Sequence, residues 1–120
     1  MAGHWALRGY GFFSICLRGE TEACGLTGAH RPGHYPEVEI GWSLWSEQVE
    51  GKSIAHEATL AARDWARGRL PGTSFVSYID PDNARSIALA TRLGAQHDTN
   101  ATHPFGDEPC HVYRHPQVQT

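Results

Sequence analysis

Gly51, Lys52 and Ser53 stand where the chain changes from an alternating pattern to a helical one. A glycine lets the backbone turn tightly, and the first turn of a helix presents amide N–H groups with a partial positive charge. Lys52 adds a full charge at the same end. The segment 46–53 therefore has the makings of an anion site suited to a diphosphate. A second feature lies just upstream. Glu37 and Glu39 are two residues apart in an alternating segment, so both carboxylates fall on one face of a strand beside the expected cleft.

Gly51, Lys52 and Ser53 also match the end of a P-loop, and the apolar run 75–79 followed by Asp80 resembles a strand that presents an acid to magnesium. The first glycine of that loop belongs at position 46, which is Ser. A nucleotide-hydrolase core also needs more parallel strands than 120 residues can supply. The P-loop reading fails on geometry.

The elements that would position these residues can be read from periodicity. Segment 11–18 is rich in aromatic and β-branched residues and ends in a turn signal, and a second strand follows at about 23–30. After a loop at 31–36, residues 37–44 alternate strictly, with Val38, Ile40, Trp42 and Leu44 on one face and Glu37, Glu39, Gly41 and Ser43 on the other. From Ile54 the spacing of Ile54, Ala58, Ala61 and Trp65 predicts one face of a helix, capped by Ser53 and ended near Gly68 and Pro71. A short strand at 75–79, a turn at 80–83 and a second helix at about 84–93, closed by Gly94, come next. One or two strands are expected in the tail, the clearest at 111–114.

The order β-β-β-α-β-α-β predicts an α/β (α+β) fold: one domain over 1–120, with a mixed, mostly antiparallel sheet flanked by two helices. The first three strands pair antiparallel. The strand–helix–strand unit places the third and fourth strands parallel, with a ligand site where the winding changes.

Composition narrows the function. Thirteen acidic residues against ten basic ones give a net charge of −3. That balance supplies no electrostatic reason for nucleic acid or an anionic membrane as partner. No apolar run reaches the ~20 residues that span a bilayer, and the start lacks a secretory pattern, so the chain reads as cytoplasmic. Cys16, Cys24 and Cys110 are odd in number and widely spaced, which predicts reduced thiols acting as small, buried or half-buried apolar groups. Eight histidines do not make a four-ligand pattern, so no metal is expected.

Taken together, several segments resemble the GNAT superfamily of N-acetyltransferases, in its ribosomal-protein-alanine acetyltransferase-like branch. They are Glu39 to Trp42, the loop Gln48 to Ser53, Ala55 to Ala58, the run Asp80 to Ile87, and Leu93 to Ala95. The loop fits the pattern Q-x-x-G-x-[GA], except that Ser53 replaces the small last residue. The resemblance covers about 5–115. It implies acetyl-CoA as co-substrate and a primary amine as acceptor, either a small molecule or a protein N-terminus.

By the same resemblance, the loop Gln48, Val49, Glu50, Gly51, Lys52, Ser53 and Ile54 holds the diphosphate. Backbone amides at Ser43 and Leu44 hold the pantetheine arm and polarise the thioester. Asn83 and Ser86 lie near the sulfur. Glu39 is the first choice for the base and Glu37 the alternate. The tyrosine that many members carry late in the second helix as the acid has no counterpart in 88–92, and Ser86 is the remaining donor. Family members begin with a further strand and two helices before the strand that starts here near Tyr10. Without them a sheet edge stays uncovered, which predicts a homodimer. The alternative function is a non-catalytic acyl-CoA-binding module, or a half-domain active only in an assembly.

Overall fold

The computed structural model describes residues 9–16, 19, 22–45 and 54–117. Its elements are β1 (Phe12–Cys16), β2 (Ala23–His30), β3 (Val38–Leu44), α1 (Ile54–Arg69), β4 (Phe75–Ile79), α2 (Ala84–Arg92), β5 (Gln96–His97) and β6 (His111–Arg114). The expected order is present, with the tail supplying two strands. The six strands and two helices form a mixed α/β arrangement. Two compact units share strand β3: one takes its residues from Ile40 onward, the other those before it.

In the first unit, which holds residues up to His30 and Ile40–Pro71, the strand order is β1-β2-β3. β1 and β2 pair antiparallel, with a register shift between Ile15 and Cys16. Helix α1 packs on β2. Thr27 and Thr59, 2% and 0% exposed, share a hydroxyl contact of 2.9 Å, and Thr27 Oγ1 also donates to the Gly41 carbonyl at 3.1 Å. Both buried hydroxyls are thus satisfied.

The buried face of α1 is not the predicted one. It is formed by Ala55, Thr59, Ala62, Arg63 and Ala66, whereas Ile54 and Ala58 are half-buried and Ala61 and Trp65 are exposed. The reason is steric. Small residues at Ala55, Thr59, Ala62 and Ala66 repeat at the same helical spacing one position later. They let the helix axis approach the sheet closely, so the larger Ile54 and Trp65 stand at its flank.

In the second unit, Arg31–Glu39 with the residues from Gly72 onward, the order is β3-β4-β6-β5. β3 and β4 are parallel, as the crossover predicts, through the pairs Val38↔Phe75 and Glu39↔Val76. β6 runs antiparallel to both β4 and β5. Phe75, Val76, Ile79, Leu89, Ala90, Leu93 and Val112 form this unit's buried core. Within it Ser77 Oγ and His115 Nε2 meet at 2.8 Å, both buried.

Helix α2 is bounded as its sequence dictates. The Asn83 side chain accepts from the Ser86 N–H at 3.2 Å, which is an N-cap. At the other end Gly94 N–H bonds Thr91 O, and Ala95 N–H bonds Ala90 O, both at 3.0 Å. That is a Schellman closure, and it requires the left-handed φ of +83° that Gly94 adopts.

The cysteines are free, but Cys16 is exposed rather than buried or half-buried, because it sits at the end of β1 next to the register shift. No helix among the described residues is long and apolar enough to cross a membrane.

Candidate active site

The parallel ladder of β3 and β4 stops at Glu39↔Val76. Two residues further along β4, the Tyr78 N–H donates to Glu39 Oε2 at 2.9 Å. A side-chain carboxylate therefore takes the amide proton that a longer ladder would have given to a backbone carbonyl.

Around Glu39 lies an aromatic group that sequence reasoning did not single out. The rings of Tyr35, Tyr78 and Phe105 meet edge to face at centroid distances of 5.4, 5.9 and 6.0 Å. Phe105 is 37% exposed on the loop between β5 and β6. Burial, then the charges of Glu39 and Cys110, pushes the Tyr35 phenol up. Tyr78 is pushed up to about 12, by burial first and by the charges of Glu37 and Glu39 next. Its hydroxyl is buried with no hydrogen-bond partner among the described residues, although the Glu37 backbone offsets part of the shift.

The Cys110 thiol is likewise raised, by burial and then by Glu39 and Asp80, which keeps it protonated. A nucleophilic cysteine needs the opposite environment. The only sequence signals for this group were the Tyr at position 78 in a strand and the aromatic content of the two loops, both ordinary core features.

Glu37 is committed elsewhere. Arg114 holds it bidentately, Nη1 to Oε1 at 2.8 Å and Nη2 to Oε2 at 3.0 Å. Arg114 also donates to Ser74 Oγ at 2.8 Å and to Asp98 Oδ2 at 2.9 Å. These four residues are up to 77 positions apart, so no local pattern announces the pairing.

The remaining expected residues divide between the units. Asn83 and Ser86 share the second unit with Glu37 and Glu39, and the Ser86 amide is engaged by the Asn83 cap. Ser43, Leu44 and Ile54 belong to the first. Ser43 is exposed, its hydroxyl accepts from Trp45 Nε1 at 3.3 Å, and Trp45 N–H donates to Cys24 O at 2.9 Å. Gly25 makes this tight junction feasible, since a Cβ there would stand 2.6 Å from the Ser43 carbonyl oxygen. Gln48, Val49, Glu50, Gly51, Lys52 and Ser53 lie outside the described residues.

Beside α1 the first unit carries an open groove of about 740 Å³, lined among others by Phe13, Ile15, Ile54, Ala58, Ala61 and Trp65. Of the expected site residues that are described, it contains Ile54. Among the described residues no cluster of three or more His, Cys, Asp or Glu could hold a metal. The His111 ring lies tilted against that of His97, with centroids 4.2 Å apart, and His34 meets Tyr35 edge-on.

Comparison with known proteins decides the family. Residues 1–96 match the family model of the acetyltransferase (GNAT) domain. The chain belongs to the GNAT family. Its fold superposes on an acetyltransferase from Agrobacterium tumefaciens str. C58 with a TM-score of 0.85 and 37% identity, over 96% of this chain and 66% of that one. A Bordetella pertussis protein assigned to GnaT-family acetyltransferases gives 0.74 at 24% identity, covering 94% and 69%. The ribosomal-protein-S5-alanine acetyltransferase of Vibrio fischeri gives 0.69 at 17% identity, covering 94% and 64%. The last two likenesses concern the fold alone. This GNAT chain thus spans about two thirds of the length of the relatives it matches.

Proposed function

We propose that this GNAT chain transfers an acetyl group from acetyl-CoA to a primary amine, with Glu39 as the base. The observation that carries the reading is the place of Glu39. Its carboxylate ends the β3–β4 ladder and is oriented by the Tyr78 amide, while its neighbour Glu37 is consumed by Arg114. An acceptor amine arrives as an ammonium ion, with a pKa of about 10 for a lysine-like group, and must lose a proton before it attacks. Glu39 accepts that proton, directly or through one water.

The amine nitrogen then bonds to the thioester carbon, and the carbon–sulfur bond breaks. The electron pair leaves on sulfur, whose conjugate thiol has a pKa of about 8.5, so the departure needs little acid assistance. Ser86 donates a hydrogen bond to it. Backbone amides at Ser43 and Leu44 stabilise the oxygen charge that develops, and the loop Gln48–Ser53 with Ile54 binds the diphosphate. Transfer is direct: Cys110, the thiol that feels the Glu39 charge, is held protonated and unfit to carry an acyl group.

Calorimetry with acetyl-CoA, followed by a thiol-release assay over a panel of primary amines, tests the reading. Binding together with amine-dependent release supports it. Binding with slow hydrolysis and no dependence on amine would instead identify a non-catalytic acyl-CoA-binding module.

A further inference from the structure

We propose that Arg114 is the positioning residue for Glu39: its fork on Glu37 locks the register of β3 against β4 and so delivers the Glu39 carboxylate to the Tyr78 amide. The inference rests on the reading of Glu39 as base.

The ladder between β3 and β4 contains just two pairs, Val38↔Phe75 and Glu39↔Val76. So short a parallel pairing specifies register weakly, and a slip of one residue would send Glu39 to the opposite face. One guanidinium supplies what the ladder lacks. Glu37 immediately precedes β3 and Ser74 immediately precedes β4, and Arg114 bonds both, at 2.8 and 3.0 Å to Glu37 and 2.8 Å to Ser74. It thereby fixes the starts of the two parallel strands side by side.

Arg114 is itself placed by sheet pairing. It faces Val76 across β4–β6 and Gln96 across β5–β6, so Glu39, Val76 and Arg114 form one row over three strands. Its Nε is held by Asp98, just after β5, which leaves Nη1 and Nη2 aimed at Glu37. The Arg114 and Glu37 side chains are 33% and 27% exposed, so this is neither a loose surface pair nor a buried charge. Bidentate geometry of this kind is specific to arginine; a lysine keeps the charge and loses the fork.

The test uses the whole chain with Arg114→Lys, Glu37→Gln and the double variant. Amide hydrogen exchange at Tyr78 is the readout that a merely structural role would not single out. Each single variant is expected to speed Tyr78 exchange by about tenfold or more, while amides of the β4–β6 ladder stay protected. Turnover should fall by at least about tenfold with the acetyl-CoA KM unchanged, and the double variant should be no worse than either single one. The inference is overturned if Tyr78 exchange is unchanged, or if Tyr78 and the β4–β6 amides loosen together. Should Glu39→Gln keep full turnover, the base reading fails by itself, and Tyr78 exchange still decides whether Arg114 positions that carboxylate.

Discussion

Glu39 Oε2 lies 2.9 Å from the Tyr78 amide nitrogen, at the end of a parallel ladder only two pairs long. One carboxylate thus closes the hydrogen bonding of a truncated strand pair, and it is the carboxylate proposed above as the base. A fully buried amide without a partner would cost about 1–3 kcal/mol, and this half-buried one is satisfied by the Glu39 side chain.

Tyr78 links the site to alkaline pH. Its phenol is raised to about 12, so the folded state holds the proton more tightly than the unfolded chain, where the value is about 10. The stability this contributes is complete below about pH 10 and is lost as pH rises through about 12. Tyr78→Phe should make the alkaline decline in unfolding midpoint shallower. It should cost little at pH 7, because the Tyr78 hydroxyl is buried with no close hydrogen-bond partner among the described residues beyond the weak influence of the Glu37 backbone. Denaturant titrations over pH 7–12 check both statements. An unchanged alkaline slope would contradict the assignment.

Asp98 sets the acid side. The hydrogen bond from Arg114 holds its carboxyl below the usual carboxylate range. Its contribution is therefore present above about pH 4 and disappears as pH falls through the lowered value. Asp98→Asn is expected to be less stable at neutral pH and to lose less stability on acidification. Melting curves between pH 7 and 3 report the difference.

The packing of α1 gives a test of which face meets the sheet. Ala66 is 0% exposed, so Ala66→Leu should overpack the contact and cost about 1–3 kcal/mol. Ala61→Leu, on the exposed side, should stay within about 0.5 kcal/mol of the parent. Equal effects in urea unfolding would mean that the buried face is the one marked by Ile54 and Trp65 after all.

Thr59 offers a narrower case. Thr59→Val keeps the shape but deprives Thr27 Oγ1 of one of its two partners, and should cost about 1 kcal/mol. Thr27→Val strips both Thr59 and the Gly41 carbonyl and should cost more. The same unfolding experiment ranks the two, and the reverse order would contradict this hydrogen-bond assignment.

Much of this fold was legible in the sequence because its signals are local. Alternation marked 37–44, of which Val38–Leu44 is strand, the run at Phe75–Ile79 was a strand, and Asn83 and Gly94 bounded α2. The parallel pairing followed from the crossover rule. The α1 face did not follow, because apolar periodicity marked Ile54, Ala58, Ala61 and Trp65, whereas the buried face, one position later, includes the polar Thr59 and Arg63. The partners of Glu37 and Glu39 were invisible for another reason. Arg114 and Tyr78 lie 77 and 39 positions away, and only strand register brings them together.

The most direct measurement is amine-dependent thiol release from acetyl-CoA by the parent chain and by Glu39→Gln, followed across pH with acetyl-CoA binding measured in parallel. If Glu39 is the base, Glu39→Gln binds acetyl-CoA as the parent does and loses at least about 100-fold in turnover. Equal turnover would contradict that role.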